Sequence, residues 1–212
     1  MKSTPATTAQ TDFLFTMCTQ GGLRRGVRAL NPASTNLLRP RPPSGDKHPE
    51  RLWFDNQAEE AARYYTGIFK NSKIGAISRY GEAGKEVHGQ KAGTVMTVAF
   101  ELNGQPFTAL NGGPIFKFNE AISFQIMCDT QEEVDQYWNK LSAGGDPKAQ
   151  QCGWLKDKYG LSWQVVPTVL VELMSNPDKE KSGRAMEAML QMKKLDIAEL
   201  KRAFEGKGSL AR

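Results

Sequence analysis

The amino-acid sequence predicts an α+β fold in which a βαβββ unit is used twice and is followed by helices. The chain matches itself at an offset of 74 residues, so that Asp55 falls on Asp129 and Gln57 falls on Gln131. Each half begins with a short apolar segment, continues with apolar residues at helical spacing, and ends with segments of alternating character. A repeat of this size is typical of a supersecondary unit that occurs twice.

The first unit contains one predicted helix and four predicted strands. The helix covers residues 57–69, and the strands cover residues 52–54, 72–80, 94–102 and 105–110. Asn103 and Gly104, between the last two strands, are the residue types that a two-residue hairpin turn requires, because both turn positions have positive φ.

The second unit repeats this order. Thr130, with Glu133 three positions later, forms a capping box that predicts the start of its helix, and Gly144 predicts the end. Its predicted strands cover residues 121–128, 147–151, 153–156 and 162–166. Alternation predicts that Ile122 packs under the helices with Phe124 and Ile126. The remainder, residues 168–212, is predicted to be a helical segment.

The positive charge of the chain lies near its start. Residues 1–51 carry eight Lys or Arg and three Asp or Glu, whereas residues 52–212 carry twenty of each, so the net charge of +5 belongs to the first segment. The folded part, which consists of a domain predicted for residues 51–167 and the helical segment after it, therefore has no basic field to attract nucleic acid. Residues 1–50 are rich in Ser, Thr, Pro and Arg and are predicted to be a disordered basic extension. A transit peptide and a start codon placed too early are the alternatives.

The cysteines predict a reducing compartment. Cys18, Cys128 and Cys152 are odd in number and widely spaced, which does not suit a disulfide framework. A cytoplasmic location is the simplest interpretation. The sequence also has no run of about 20 apolar residues that could span a bilayer, so no membrane partner is expected.

Five ordered blocks of sequence resemble the PhnB-like proteins of the vicinal-oxygen-chelate superfamily, the group of glyoxalases, bleomycin resistance proteins and dioxygenases. The blocks begin at Leu52, Gly93, Ala109, Phe118 and Gly153. The resemblance implies paired βαβββ modules whose glyoxalase-like sheets curl around a cleft, and a homodimer. PhnB-like proteins often carry the label 3-demethylubiquinone-9 3-methyltransferase. The glycine-rich residues 109–114 lie between strands and do not open a helix, so they do not form a cofactor-binding loop.

The resemblance also identifies the positions where enzymes of the superfamily hold a divalent ion, which acts as a Lewis acid. These positions are occupied here by Trp53 or Phe54, Asn111, Ala121 and Gln164. Hard cations favour carboxylates, and softer cations favour imidazole or thiolate. Two amides do not satisfy either preference, so we expect no metal and no cofactor.

What remains is a cleft for an unknown small molecule, lined by a few polar side chains in apolar surroundings. The expected pocket consists of Met96, Asn111, Ser123 and Gln164, with Phe116, Phe118, Cys152 and Trp154 at its rim. The predicted function is therefore that of a metal-free small-molecule-binding domain, and the sequence leaves open whether it is an enzyme. A metal- or thiol-dependent lyase, dioxygenase or transferase is one alternative, and a non-catalytic interaction protein is the other.

Overall fold

A computed structural model describes residues 49–207 of the chain. The first unit contains strand β1 (Glu50–Phe54), helix α1 (Ala58–Ile68), strand β2 (Lys73–Arg79), the short helix α2 (Lys85–His88), strand β3 (Val95–Leu102) and strand β4 (Gln105–Asn111). The second unit contains strand β5 (Ser123–Cys128), helix α3 (Gln131–Ser142), a 3-10 helix (Pro147–Ala149), strand β6 (Trp154–Lys156) and strand β7 (Ser162–Pro167). Helices α4 (Thr168–Met174), α5 (Lys179–Leu190) and α6 (Ile197–Phe204) follow.

This element order confirms the predicted α+β class with two related units and C-terminal helices. The extension predicted for residues 1–50 lies outside the described residues except for Pro49 and Glu50, and Glu50 already belongs to β1. Within residues 49–207, no helix has the length and apolar character needed to cross a membrane.

Each unit folds into its own sheet, of four strands in the first unit and three in the second, and the two sheets begin with the same pairing. Sheet A has the strand order β1-β4-β3-β2, and sheet B has the order β5-β7-β6. The first strand of each unit lies parallel to the last one, since β1 pairs with β4 and β5 pairs with β7. The other neighbours are antiparallel. The repeat in the sequence therefore corresponds to a repeat in strand order.

Local signals in the sequence set several of these boundaries. Asn103 and Gly104 have φ values of 48° and 82°, and they close the β3–β4 hairpin as the turn residues predict. The Thr130 side chain accepts a hydrogen bond from the Glu133 backbone N–H, which confirms the capping box at the start of α3.

Two expectations for the second unit are wrong. Residues 147–151 do not form a strand, because the Asp146 side chain accepts the Lys148 N–H at 2.8 Å and Pro147 opens a 3-10 helix. Ile122 does not pack under the helices. Its side chain is 70% exposed, because β5 begins only at Ser123.

One hydrophobic core lies between the helices and one face of each sheet. Tyr65 of α1 is fully buried in this core and joins the two units. Its ring stacks on Phe100 of β3, and its ring centroid lies 5.5 Å from that of Trp163 of β7. Phe107 of β4 meets Phe124 of β5 edge to face at 5.3 Å. We call the opposite side of each sheet, which points away from this core, its open face.

A buried carboxylate fixes the β6–β7 hairpin to α1. Asp157 is only 2% exposed, and its Oδ2 accepts hydrogen bonds from the Tyr65 hydroxyl at 2.7 Å and from Trp163 Nε1 at 2.8 Å. Its Oδ1 accepts the backbone N–H groups of Tyr159 and Leu161. Burial raises the pKa of Asp157, and the four donors oppose that rise.

The C-terminal segment docks on the second unit through hydrogen bonds between its backbone and a side chain of α3. The Gln131 side chain at the start of α3 donates to the Leu195 carbonyl at 3.2 Å and accepts the Ile197 N–H at 2.8 Å. Leu195 itself is fully buried. This contact holds the start of α6 beside α3.

Candidate ligand-binding site

The open face of sheet B carries two rows of polar and aromatic side chains across its three strands. In the first row, Ser123 of β5 is the register partner of Ser162 of β7, which in turn faces Lys156 of β6. In the second row, Gln164 of β7 lies between Gln125 of β5 and Trp154 of β6. Register partners point to the same side of a sheet, so each row is a set of neighbouring side chains.

Ser123 and Gln164, both expected in the pocket, lie together. The Gln164 amide donates from Nε2 to the Ser123 hydroxyl oxygen at 2.8 Å. This bond leaves the carbonyl oxygen of Gln164 as an acceptor and the hydroxyl proton of Ser123 as a donor. The two rows are therefore joined by one contact that still has hydrogen-bonding capacity.

Ser162, between Ser123 and Lys156, carries a buried hydroxyl without a hydrogen-bond partner. The residue is 1% exposed, and its Oγ has no partner among the described residues. Buried polar atoms are almost always paired, because an unpaired one forfeits its interactions with water. This hydroxyl is therefore a candidate contact for a bound molecule.

An ion pair borders the first row. Lys156 contacts Glu120, which lies just before β5, and the two side chains are 23% and 37% exposed. The hydrogen bond from Lys156 lowers the pKa of Glu120. The ammonium group is thus already held against a carboxylate on this side of the sheet.

Trp154 and Cys152, expected at the rim, lie at the other edge of the open face. Trp154 is buried on the same side as Gln164. Cys152 and Gly153 have φ values of 50° and 84°, and they form a tight turn before β6. Their N–H groups donate to the Met192 and Lys193 carbonyls, so the C-terminal segment closes over this turn. The buried Cys152 is therefore a turn residue beneath that segment.

Asn111 lies on the core side of sheet A, and Met96 lies in β3 of the same sheet. Asn111 is 8% exposed, its Oδ1 accepts the Ala58 N–H at 2.8 Å, and its Nδ2 donates to the Val95 carbonyl at 3.0 Å. It thereby caps α1, whose N-cap residue makes no side-chain bond of its own. Met96 is half-buried in β3, at the register shift between Thr97 and Val95 in the pairing with β2. The structure does not place these two with Ser123 and Gln164.

Phe116 and Phe118 lie in the segment between the two units. The Phe116 ring is 62% exposed and meets Trp53 edge to face at 4.9 Å. Phe118 is partly buried and packs against Phe54 of the core at 5.3 Å. Both rings therefore pack on aromatic residues of β1, away from the Gln164–Ser123 hydrogen bond.

The residues at the expected metal positions do not fit an ion. The Trp53 ring lies directly over Gly112, where an added Cβ would collide with it, and its Nε1 donates to the Gly113 carbonyl. The amide oxygen of Asn111 accepts a hydrogen bond from the Ala58 N–H of α1, and the amide nitrogen of Gln164 donates one to Ser123. Across residues 49–207, no three His, Cys, Asp or Glu side chains converge on a point.

Sequence reasoning did not assign Ser162, Lys156 or Glu120 to the site. The strands predicted at residues 153–156 and 162–166 contained the signal for the first two, because an antiparallel hairpin between them sets Lys156 opposite Ser162. That Ser162 is left without a partner depends on its surroundings in three dimensions, which no local pattern in the sequence encodes.

The described residues form an α+β domain of two related modules. In each module the first strand lies parallel to the last, the open face of sheet B carries rows of polar side chains, and no set of metal ligands converges within residues 49–207. A family model described as 3-demethylubiquinone-9 3-methyltransferase matches residues 46–166. The chain belongs to this family, which confirms the resemblance to PhnB-like proteins of the vicinal-oxygen-chelate superfamily.

Three solved structures illustrate what the chain is similar to. The PhnB protein from Bacillus cereus is 38% identical, with 58% of this chain and 100% of that chain covered and a TM-score of 0.49. The fosfomycin resistance protein FosX from Listeria monocytogenes is 16% identical, with coverage of 59% and 94% and a TM-score of 0.38. A possible glyoxalase from Bacillus cereus is 11% identical, with coverage of 57% and 99% and a TM-score of 0.37. Comparison with curated proteins gives no match.

Proposed function

We propose that the chain is a metal-free domain that binds a small molecule on the open face of sheet B. The observation that carries this proposal is the Gln164–Ser123 hydrogen bond beside the buried, unpartnered hydroxyl of Ser162. Small-molecule sites typically combine a few fixed polar groups with an apolar lining. Trp154 and Val166, both buried on the same side of the sheet, provide the apolar part.

Methyl transfer is not part of the proposal, although the family description names it. Gly112 and Gly113 provide the close approach and the carbonyl that Trp53 requires. They connect a strand to the inter-unit segment and do not open a helix. A helix N-terminus of the kind that receives a cofactor phosphate is therefore not formed at these glycines.

A homodimer belongs to the same proposal. Large apolar side chains are exposed between the units and on β5, with Ile115 at 72%, Phe116 at 62% and Met127 at 45%. Ile115 and Phe116 are neighbours in the chain, and adjacent exposed apolar side chains are typical of interaction surfaces. A second copy, as the resemblance implies, would cover them, and native mass spectrometry measures this. The cytoplasmic location stays a prediction.

Ligand screening with two matched variants tests the site. Small polar metabolites are screened by thermal shift, and each hit is titrated calorimetrically against wild type, Gln164→Ala and Gln105→Ala. Because Gln164 contributes one or two hydrogen bonds, its loss should weaken binding about tenfold, whereas Gln105→Ala should leave affinity unchanged. Gln105 is an exposed glutamine of β4 in sheet A, outside the candidate site, so it controls for surface effects.

Two results would contradict the proposal. Hits with equal affinity for both variants would place the site elsewhere, and a library without hits would remove the support for a pocket. Elemental analysis of protein purified without chelator tests the metal-free part, because a stoichiometric divalent ion would restore the metal-dependent alternative.

A further inference from the structure

We infer that the row formed by Ser123, Ser162 and Lys156 receives an oxyanion of the ligand, a carboxylate or a phosphate group, and that Lys156 exchanges Glu120 for it. This inference rests on the proposed function, because it assigns a chemical class to the molecule bound at that same face. It adds Lys156 as the charged contact and Glu120 as the group that the ligand displaces.

The hydrogen-bonding capacity of the row consists mainly of donors. Ser162 has an unpartnered hydroxyl, and Ser123 keeps its proton because it accepts from Gln164. Lys156 carries three N–H donors and uses them only toward Glu120 among the described contacts. Several donors around one cationic group suit a group with several acceptor oxygens, and charged partners strengthen such bonds.

The ion pair with Glu120 shows that the Lys156 ammonium group binds a carboxylate at this position. Its carboxylate already contacts the ammonium group, and it extends from the segment that precedes β5. Exchange of this carboxylate for the oxyanion of a ligand keeps Lys156 paired, so no isolated charge is left half-buried on the sheet. Glu120 is itself 37% exposed in its side chain and can turn into solvent once released.

A second ion pair in the same domain lacks these features and serves as a control. Lys158 lies 2.8 Å from Glu60, and its ammonium group rests over the Tyr64 ring at 4.8 Å. Glu60 also accepts the Tyr159 hydroxyl at 2.7 Å. This pair joins the β6–β7 turn to α1, and within residues 49–207 the buried, unpartnered hydroxyl belongs to Ser162 and not to a neighbour of this pair.

The experiment titrates inorganic phosphate, acetate and neutral acetamide into the full chain at constant ionic strength, followed by amide chemical shifts. Wild type should bind the two anions and not acetamide. Lys156→Met should weaken anion binding about tenfold or more, because hydrogen bonds to charged groups are among the stronger ones. Lys156→Arg should retain binding, and Glu120→Gln should strengthen it because the competing charge is gone.

Lys158→Met and Glu60→Gln should leave anion affinity unchanged. Anion binding that is equal in wild type and Lys156→Met, or that weakens in Glu120→Gln, would overturn the inference. A preference between phosphate and acetate identifies which oxyanion the row fits. Arg and Gln at these partly exposed positions preserve the fold, so a misfolded Lys156→Met still leaves two informative variants.

The two proposals fail in different ways. If a neutral metabolite binds in a Gln164-dependent manner while no anion binds, the oxyanion inference is wrong and the site stands. If neither neutral molecules nor anions bind, or if the binding of neutral molecules does not depend on Gln164, the site itself is wrong.

Discussion

Replacement of Asp157 by alanine should destabilise the domain by about 3–5 kcal/mol, as is typical when a buried charge network loses one partner. The carboxylate accepts four hydrogen bonds, and three of the donors have no route to water. Tyr65 and Trp163 are 0% and 2% exposed, and the Leu161 N–H is buried. Each buried donor left unsatisfied costs about 1–3 kcal/mol. The Tyr159 N–H is only partly buried and can bind water.

Urea unfolding followed by circular dichroism measures this change, with ΔG extrapolated to water. Tyr65→Phe removes one of the four donors and keeps the ring, so it should cost about 1–2 kcal/mol. Asp55→Ala, at an exposed aspartate, should stay within about 0.5 kcal/mol of wild type. A loss below about 1.5 kcal/mol for Asp157→Ala would refute the reasoning, because it would mean that the stranded donors find other partners.

The pH dependence of stability follows from the same group. Burial raises the pKa of Asp157 above its ordinary 3.8, so the folded chain holds this proton to higher pH than the unfolded chain does. The contribution to ΔG is therefore complete below the ordinary pKa and is lost as pH rises through the folded value. The difference in ΔG between wild type and Asp157→Asn should thus shrink as pH rises from about 4. A difference that grows over that window would show a lowered pKa.

Two further substitutions test how the helices are held. Asn111→Ala should lower the free energy of unfolding in urea by about 2–3 kcal/mol, because it leaves the Ala58 N–H and the Val95 carbonyl without partners. Asn139→Ala, on the exposed side of α3, should have no effect. Equal effects of the two substitutions would contradict the capping role of Asn111. Gln131→Ala should lower the free energy of unfolding by about 1–2 kcal/mol and reduce hydrogen-exchange protection in α6, because two hydrogen bonds to the C-terminal segment are lost. Gln136→Ala serves as the control within the same helix. Unchanged protection in α6 would show that apolar packing alone holds it.

The sequence determines the parts of the fold that depend on neighbouring residues. Asn103 and Gly104 predict their hairpin because few other residues adopt positive φ, and Thr130 with Glu133 predicts a helix start because both groups lie within one turn. The segment at Pro147 was misassigned for a related reason. Proline is compatible both with extended chain and with the first turn of a helix, and the Asp146 side chain decides between them.

The candidate site was only partly accessible to sequence reasoning. Alternation placed Ser123 and Gln164 on one side of sheet B, and their hydrogen bond joins them. Asn111 could not be placed in this way, because its partners Ala58 and Val95 are distant in sequence. A side chain that satisfies backbone groups on another element leaves no periodic signal. The buried environment of Asp157 likewise exists only after α1 has packed on the hairpin.

The parallel pairing of first and last strands has a consequence for the order in which the chain folds. β1 can complete its hydrogen bonds only with β4, and Phe54 pairs with Asn111 across the whole first unit. Closing so long a loop costs entropy before any strand contact is gained, and such contacts slow folding. During synthesis, β1 and α1 therefore leave the ribosome long before their sheet can form. We expect the β3–β4 hairpin, whose strands are adjacent in sequence, to form before β1 joins the sheet.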